Sequence, residues 1–374
     1  MSDPAAKQII ENMQILVPLY IEGGTMLELE HSWLAERWKL FLLYKVHENG
    51  SATTSRYSLA GYATSFQNFT FADRQNVESQ SSGATLAQEE IDQIVARWSE
   101  SSTSETQPVL DLPCRERLSQ FIILPPYQGQ GLGSRLYNTM YTTLTTPSNV
   151  IEFTVEDPNE AFDDMRDVSD MVHLLSHNQD FVDLKVNTRI AADRLKPQGK
   201  IPIEEIIDGK AKESIRKTSK IMPRQLARLI EMQTLDKIPR LSRSVSRITR
   251  KDKASNENDR AFYFWRLYVK QRLYLQNRDV LTQLDPEDRI DKLEATLESI
   301  QADYERLLAA VEKRKPLSAN GSEASASGSK RSKKRRLNEG DEEDIESHST
   351  TSASRKKRQS KRVIDEDDED GVDE

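Results

Sequence analysis

The sequence is poor in the residues that staple a fold or hold a metal. It has a single cysteine, Cys114, so no internal disulfide can form. That cysteine and five scattered histidines offer no zinc-ligand spacing, and no metal is expected. No apolar run reaches the roughly 18 residues of a membrane-spanning helix, so no membrane association is expected. The N-terminus lacks the basic-then-apolar order of a secretory signal. With the lone cysteine, this predicts a reducing, intracellular setting. Positive charge is also short. Against 61 Asp and Glu stand 53 Lys and Arg, a formal net charge of −8. That balance argues against direct nucleic-acid binding and suits a basic partner.

At 36% hydrophobic and 30% charged, the 374 residues are too polar for one compact globule. Three zones are expected. Residues 1–175 alternate strands and helices, an α+β pattern of a mixed sheet flanked by helices. Pro4 to Leu16 places Ile9, Met13 and Leu16 on one helical face. Trp38 to Tyr44 reads as a strand. So does Tyr57 to Thr64, after the turn-like Glu48-Asn49-Gly50. Residues 74–110 are Ser-, Gln- and Glu-rich with one short helical candidate, Leu86 to Trp98. They read as an insertion between strands.

Residues 176–313 read as a helical domain. Asp285-Pro286-Glu287-Asp288 is a helix start: a capping aspartate, a proline at the first helical position and acids behind it. Ile290, Leu293, Leu297, Ile300, Tyr304, Leu307 and Val311 then follow at heptad spacing. The seam suits an antiparallel hairpin packed on Phe262 to Leu275, with an intermolecular coiled coil as the alternative. Residues 314–374 lack aromatics and read as a disordered charged tail. Its basic clusters are 330–336 and 355–362, and an acidic run spans 365–370. The first two suit nuclear import and the last suits a basic protein.

The chemistry-bearing stretch runs from Ser119 to Leu136. A short apolar strand enters Pro125-Pro126-Tyr127-Gln128-Gly129-Gln130-Gly131-Leu132-Gly133-Ser134, and a helix begins near Leu132. Glycine lets a backbone approach a ligand closely, and a helix N-terminus adds partial positive charge. Together they make a pyrophosphate cradle. A P-loop would need Gly-Lys-Ser/Thr, and a dinucleotide fold G-x-G-x-x-G; neither is present. Gln-x-x-Gly-x-Gly does fit, at Gln128, Gly131 and Gly133. Downstream, Val150 to Val155 reads as a strand that ends in Glu156-Asp157-Pro158-Asn159.

The Gln-x-x-Gly-x-Gly loop resembles the signature of the GCN5-related N-acetyltransferase superfamily. The run Leu124 to Gly133, with Val155-Glu156-Asp157-Pro158-Asn159-Glu160-Ala161-Phe162 behind it, resembles the type B histone acetyltransferase family in particular. Tyr20 to Gly24, Glu36-Arg37-Trp38 and Met222 to Arg228 are similar to the same family. The resemblance covers about residues 5–312 apart from the insertion. It implies acetyl-CoA as co-substrate, held by Phe121, Ile122, Ile123, Gln128, Gly129, Gln130, Gly131, Leu132, Gly133, Ser134 and Asn159. It implies Phe66, Gln67 and Asn68 as contacts to a histone tail. The substrate would be newly made free histone H-4, with a WD-repeat histone chaperone as escort, in nucleus and cytoplasm. Family members carry a further domain ahead of the equivalent of residue 1. This chain is expected to lack it and to hold substrate less well.

Transfer to lysine needs a base, because only about 1 in 2,500 ε-ammonium groups is neutral at pH 7. A glutamate raised by an apolar surround would serve; Glu156, at a strand end facing the cofactor loop, is the candidate, and Asp157 and Glu22 are family-matched neighbours that could share the role. Cys114 has no apparent histidine partner and reads as inert, which favours direct attack of lysine on the thioester. Two rival readings are an acetyltransferase for another amine and a non-enzymatic histone-binding protein. If the basic clusters direct import, deleting residues 330–362 shifts a fluorescent fusion toward the cytoplasm. An unchanged distribution leaves the tail a solvating segment.

Overall fold

The structure, a computed structural model, describes residues 3–47, 55–70, 108–191, 194, 201–248 and 256–314. The insertion apart from 108–110, its candidate helix at 86–98, and the tail beyond Arg314 lie outside the described residues.

Four strands form one mixed sheet in the order β1 (Trp38–Val46), β2 (Tyr57–Phe69), β3 (Cys114–Ile123) and β4 (Val150–Val155). β1–β2 and β2–β3 are antiparallel, whereas β3–β4 is parallel. A parallel neighbour needs a crossover, and here α2 (Leu132–Thr145) supplies it. The longer helices are α1 (Pro4–Met13), α2, α3 (Glu160–His177), α4 (Gly209–Ser219), α5 (Pro223–Asp236), α6 (Glu257–Gln276) and α7 (Pro286–Arg314). The expected α+β class is what the chain adopts. Both expected β-segments run longer than the pattern showed, to Val46 and Phe69. Their ends carry polar or exposed residues that the sheet nevertheless pairs.

The two faces of the sheet carry different covers. α1 begins at Asp3, whose carboxylate accepts from the Ala5 N–H at 2.8 Å, with Pro4 at the first helical position. It buries Ile10 and Met13 against Tyr62 and Ile122. The other face, with Leu118 and Phe153, packs on α2 and α3 through Leu136, Met140 and Met171. That core continues into α5, α6 and α7 through Leu229, Trp265 and Tyr304. The Phe153 N–H donates to the Lys220 carbonyl at 2.7 Å, so the segment entering α5 lies along the outer edge of β4.

The heptad seam closes within the chain. Leu297, Tyr304, Leu307 and Val311 are buried, Leu293 and Ile300 pack on the same core, and Ile290 stays 59% exposed. α7 lies on α3 and α5 as well as on α6, so the seam serves a bundle rather than a two-helix hairpin.

A polar spine crosses this core. Asp170 accepts from Tyr137 Oη of α2 at 2.8 Å and from Gln225 Nε2 of α5 at 3.1 Å. Burial pushes its carboxyl up to about 6 despite the neighbouring Arg166 guanidinium. Gln225 also donates to Asp167, which pairs with Arg228 at 2.6 Å. Further on, Glu231 is fully buried and takes both arms of Arg272, at 2.6 and 2.7 Å, plus Tyr304 Oη at 2.8 Å. Removing one partner of such a pair strands the other. Glu231→Ala is therefore expected to cost about 3–5 kcal/mol of unfolding free energy. Urea denaturation measures it, and a loss below about 1 kcal/mol would mean that Arg272 finds water instead.

Candidate functional site

The site is built where two parallel strands part. β3 and β4 stay paired from Cys114 opposite Val150 to Leu118 opposite Val155. The last rung is the Glu156 N–H on the Leu118 carbonyl, at 2.9 Å. β4 then ends, while β3 runs on to Ile123. Asp157 makes the break, with a left-handed φ of 37° that side-chain-bearing residues seldom take. β3 meanwhile carries a bulge: Gln120 pairs with Thr64 and Leu118 with Ser65, so Ser119 is the extra residue. Beyond it the Leu124 N–H reaches the Ala60 carbonyl of β2 at 2.9 Å. Alternation along the strand then turns the peptide groups of Phe121 and Ile123 to the edge that β4 has left. Among the described residues the buried Ser119 hydroxyl has no hydrogen-bond partner.

The glycine loop stands at the mouth of this gap. Gln128 Nε2 donates to the Ile123 carbonyl at 2.7 Å and Gln130 Nε2 to the Pro126 carbonyl at 2.9 Å. Both side chains brace the loop. Gly129 and Gly131 hold left-handed φ values of 69° and 75°, and a Cβ on either would meet nothing within 4 Å. Their role is conformational, and the space beside them is open. Gly133 is different: a Cβ there would come 3.1 Å from Met165 Sδ of α3, so this glycine lets α2 and α3 approach. α2 starts at Gly131 with no side-chain cap and no acid in its first turn, which leaves the N–H groups of Leu132, Gly133 and Ser134 unused within the helix. Phe121 meets Phe162 of α3 edge-on at 5.0 Å, and Asn159 caps α3 by accepting from the Phe162 N–H at 2.9 Å. Ile122 points to the α1 face and is 3% exposed. Its side chain shapes the core there.

The acidic candidates lie on the α1 face. Register aligns Trp38, Phe66, Arg117 and Thr154 in one row across the sheet, and Glu156 follows Thr154 by one strand repeat. Glu156 is 40% exposed, with Arg117 Nε 3.4 Å from its carboxylate. The apolar surround expected for it is not there: its neighbour is a guanidinium. Asp157 is exposed beside it. Glu22 is exposed in a loop moored to β3, because Gln120 Nε2 donates to the Thr25 carbonyl at 3.0 Å and to Gln14 at 3.2 Å. Phe66 is 9% exposed, packed 4.7 Å from Trp38 and beneath Arg37. Gln67 is buried and donates to the Leu110 carbonyl at 2.8 Å, so its amide is spent on the fold. Asn68 is half-buried at the strand end. Cys114 is fully buried, and burial raises its thiol, as an inert residue requires. Sequence reasoning missed the unpartnered Ser119 hydroxyl and the Arg117–Glu156 pair. Each depends on the bulge and on cross-strand register, which leave no residue pattern.

A bulged strand that parts from its parallel neighbour beside an uncapped glycine-rich helix start defines the class. The arrangement fits the GCN5-related N-acetyltransferase fold that the loop sequence resembles. No family model matches the chain. Curated relatives do. It is 38% identical over 318 residues to the histone acetyltransferase type B catalytic subunit of Pyricularia oryzae, covering 84% of this chain and 63% of that one. The subunit of the same name from Gibberella zeae is 38% identical, again at 84% and 63% coverage. That of Neurospora crassa is 34% identical over 363 residues, at 90% and 68%. The chain belongs to the family of type B histone acetyltransferase catalytic subunits. It spans somewhat under two thirds of the length of the first two relatives.

The glycines separate conformation from charge. Gly131→Ala keeps the open space but strains the turn, by about 1–2 kcal/mol. Gly131→Asp adds a carboxylate at the cradle. Calorimetry with acetyl-CoA is expected to show a modest loss for alanine and a loss of more than about tenfold for aspartate, since like charge opposes the ligand. Equal affinities in both variants would remove the phosphates from this loop.

Proposed function

We propose that this chain acetylates lysine side chains of free histone, the tail of newly made histone H-4 foremost, with acetyl-CoA as co-substrate. The observation that carries it is the gap between β3 and β4. It offers the outward peptide N–H groups of Phe121 and Ile123 to an extended arm, and the uncapped start of α2 to a diphosphate. The buried, unpartnered Ser119 hydroxyl in the bulge is a further donor that fits a polar acyl-pantetheine chain. The thioester would end near the last rung, at Leu118 and Glu156.

The acceptor would arrive across the α1 face, past Phe66 and Asn68. Glu22, Asp157 and Glu156 make that approach acidic, which draws a basic tail. Glu156 would take a proton from the ε-ammonium, directly or through water, and the neutral amine would attack the thioester carbonyl. The resulting tetrahedral centre would collapse with loss of the CoA thiolate. Arg117 Nε lies 3.4 Å from the carboxylate as an ion-pair neighbour, and the bound peptide would supply the enclosure that the free site lacks. A WD-repeat chaperone presenting the histone, and residence in both nucleus and cytoplasm, complete the reading and come from the family resemblance alone.

Glu156→Gln retains shape but cannot take a proton. Its turnover on histone tails is expected to fall by about 10²–10⁴, with acetyl-CoA affinity nearly unchanged. Asp157→Asn and Glu22→Gln are expected to cost less. Wild-type turnover in Glu156→Gln would overturn the assigned base, and a polyamine acetylated faster than a histone tail would overturn the substrate.

A further inference from the structure

α7 brings a cation to the start of α2. Its last turns are fixed on α3: Leu307, Leu308 and Val311 are buried, and Arg306 takes both oxygens of Asp164, at 2.6 and 2.7 Å. At the end of the helix Arg314 Nη1 donates to Ser134 Oγ at 3.0 Å. Ser134 belongs to the uncapped, acid-free first turn of α2, and Arg135 stands next to it, exposed. Among the described residues no carboxylate pairs with Arg314 or Arg135. A guanidinium is unfavourable at the positive end of a helix. Here two cations and a set of unused N–H groups converge with no anion to balance them.

Building on the acetyl-CoA reading above, we infer that Arg314 binds a phosphate of acyl-CoA, so that the C-terminal end of α7 completes the cofactor cradle. The guanidinium has five N–H donors in a planar fork that matches phosphate oxygens. Ser134 Oγ takes one and aims the rest. The plain alternative is a surface arginine that happens to touch a serine.

Calorimetry on the full chain with CoA, 3′-dephospho-CoA and pantetheine separates the two. Arg314→Ala is expected to weaken CoA binding about tenfold, the worth of a charge-assisted hydrogen bond. Arg314→Lys is expected to recover part of it, and pantetheine, which lacks phosphate, to bind both variants like wild type. Loss on CoA and dephospho-CoA alike assigns Arg314 to the diphosphate, and loss on CoA alone assigns it to the ribose 3′-phosphate. Unchanged CoA affinity in Arg314→Ala, or an equal loss on pantetheine, overturns the inference. A wild-type chain that binds none of the three overturns the cofactor reading itself, and this inference with it.

Discussion

The structure depends on one broken ladder. Parallel strands normally run together and satisfy each other's peptide groups. Here β4 ends one rung past Val155, and β3 continues through five residues, Ser119 to Ile123, paired on the β2 side alone. Unpaired peptide groups inside a domain are costly unless something replaces the lost strand. The bulge at Ser119, the left-handed turn at Asp157 and the glycine loop all serve to create that vacancy and to leave it facing the start of α2.

A gap of this kind persists only if its walls cannot close. α2 and α3 form one wall, and the polar spine fixes them to the bundle: Tyr137 to Asp170, Asp170 to Gln225, Asp167 to Arg228. A buried polar network of this kind favours one arrangement of its helices, although Arg166 Nε beside Asp170 has no hydrogen-bond partner among the described residues. The helical region is thus more than an appendage to the sheet. α7 returns over α3, and its final arginine reaches Ser134 beside the loop. On the other face, Gln14 and Gln120 moor the segment that carries Glu22. In the proposed reading, cofactor and acceptor would meet the sheet from opposite sides, with Glu156 at the edge between them.

Much of this was legible in the residues. The strand, glycine loop and helix around Gln128 to Gly133 stood out because glycine spacing and apolar periodicity are local signals. The proline-led start of α7 and its heptad seam were legible for the same reason, although the number of helices sharing the seam was not. The roles of individual side chains were harder to read. Nothing local shows that the Gln128 side chain braces the loop at Ile123, or that the Gln67 side chain holds the chain at Leu110. Glu156 was expected among apolar groups and stands beside Arg117. In each case the deciding partner lies on another strand or loop, and nothing in the local sequence announces it.

The central claim is that the vacancy beside β3 is the seat of acetyl-CoA. Hydrogen exchange of the full chain, with and without saturating acetyl-CoA, tests it directly. Protection is expected in peptides that contain Phe121, Ile123 and the Leu132 to Ser134 turn, because their N–H groups have no partner among the described residues and a bound cofactor would supply one. Unchanged exchange across residues 119–135, or protection confined to other parts of the chain, would contradict it.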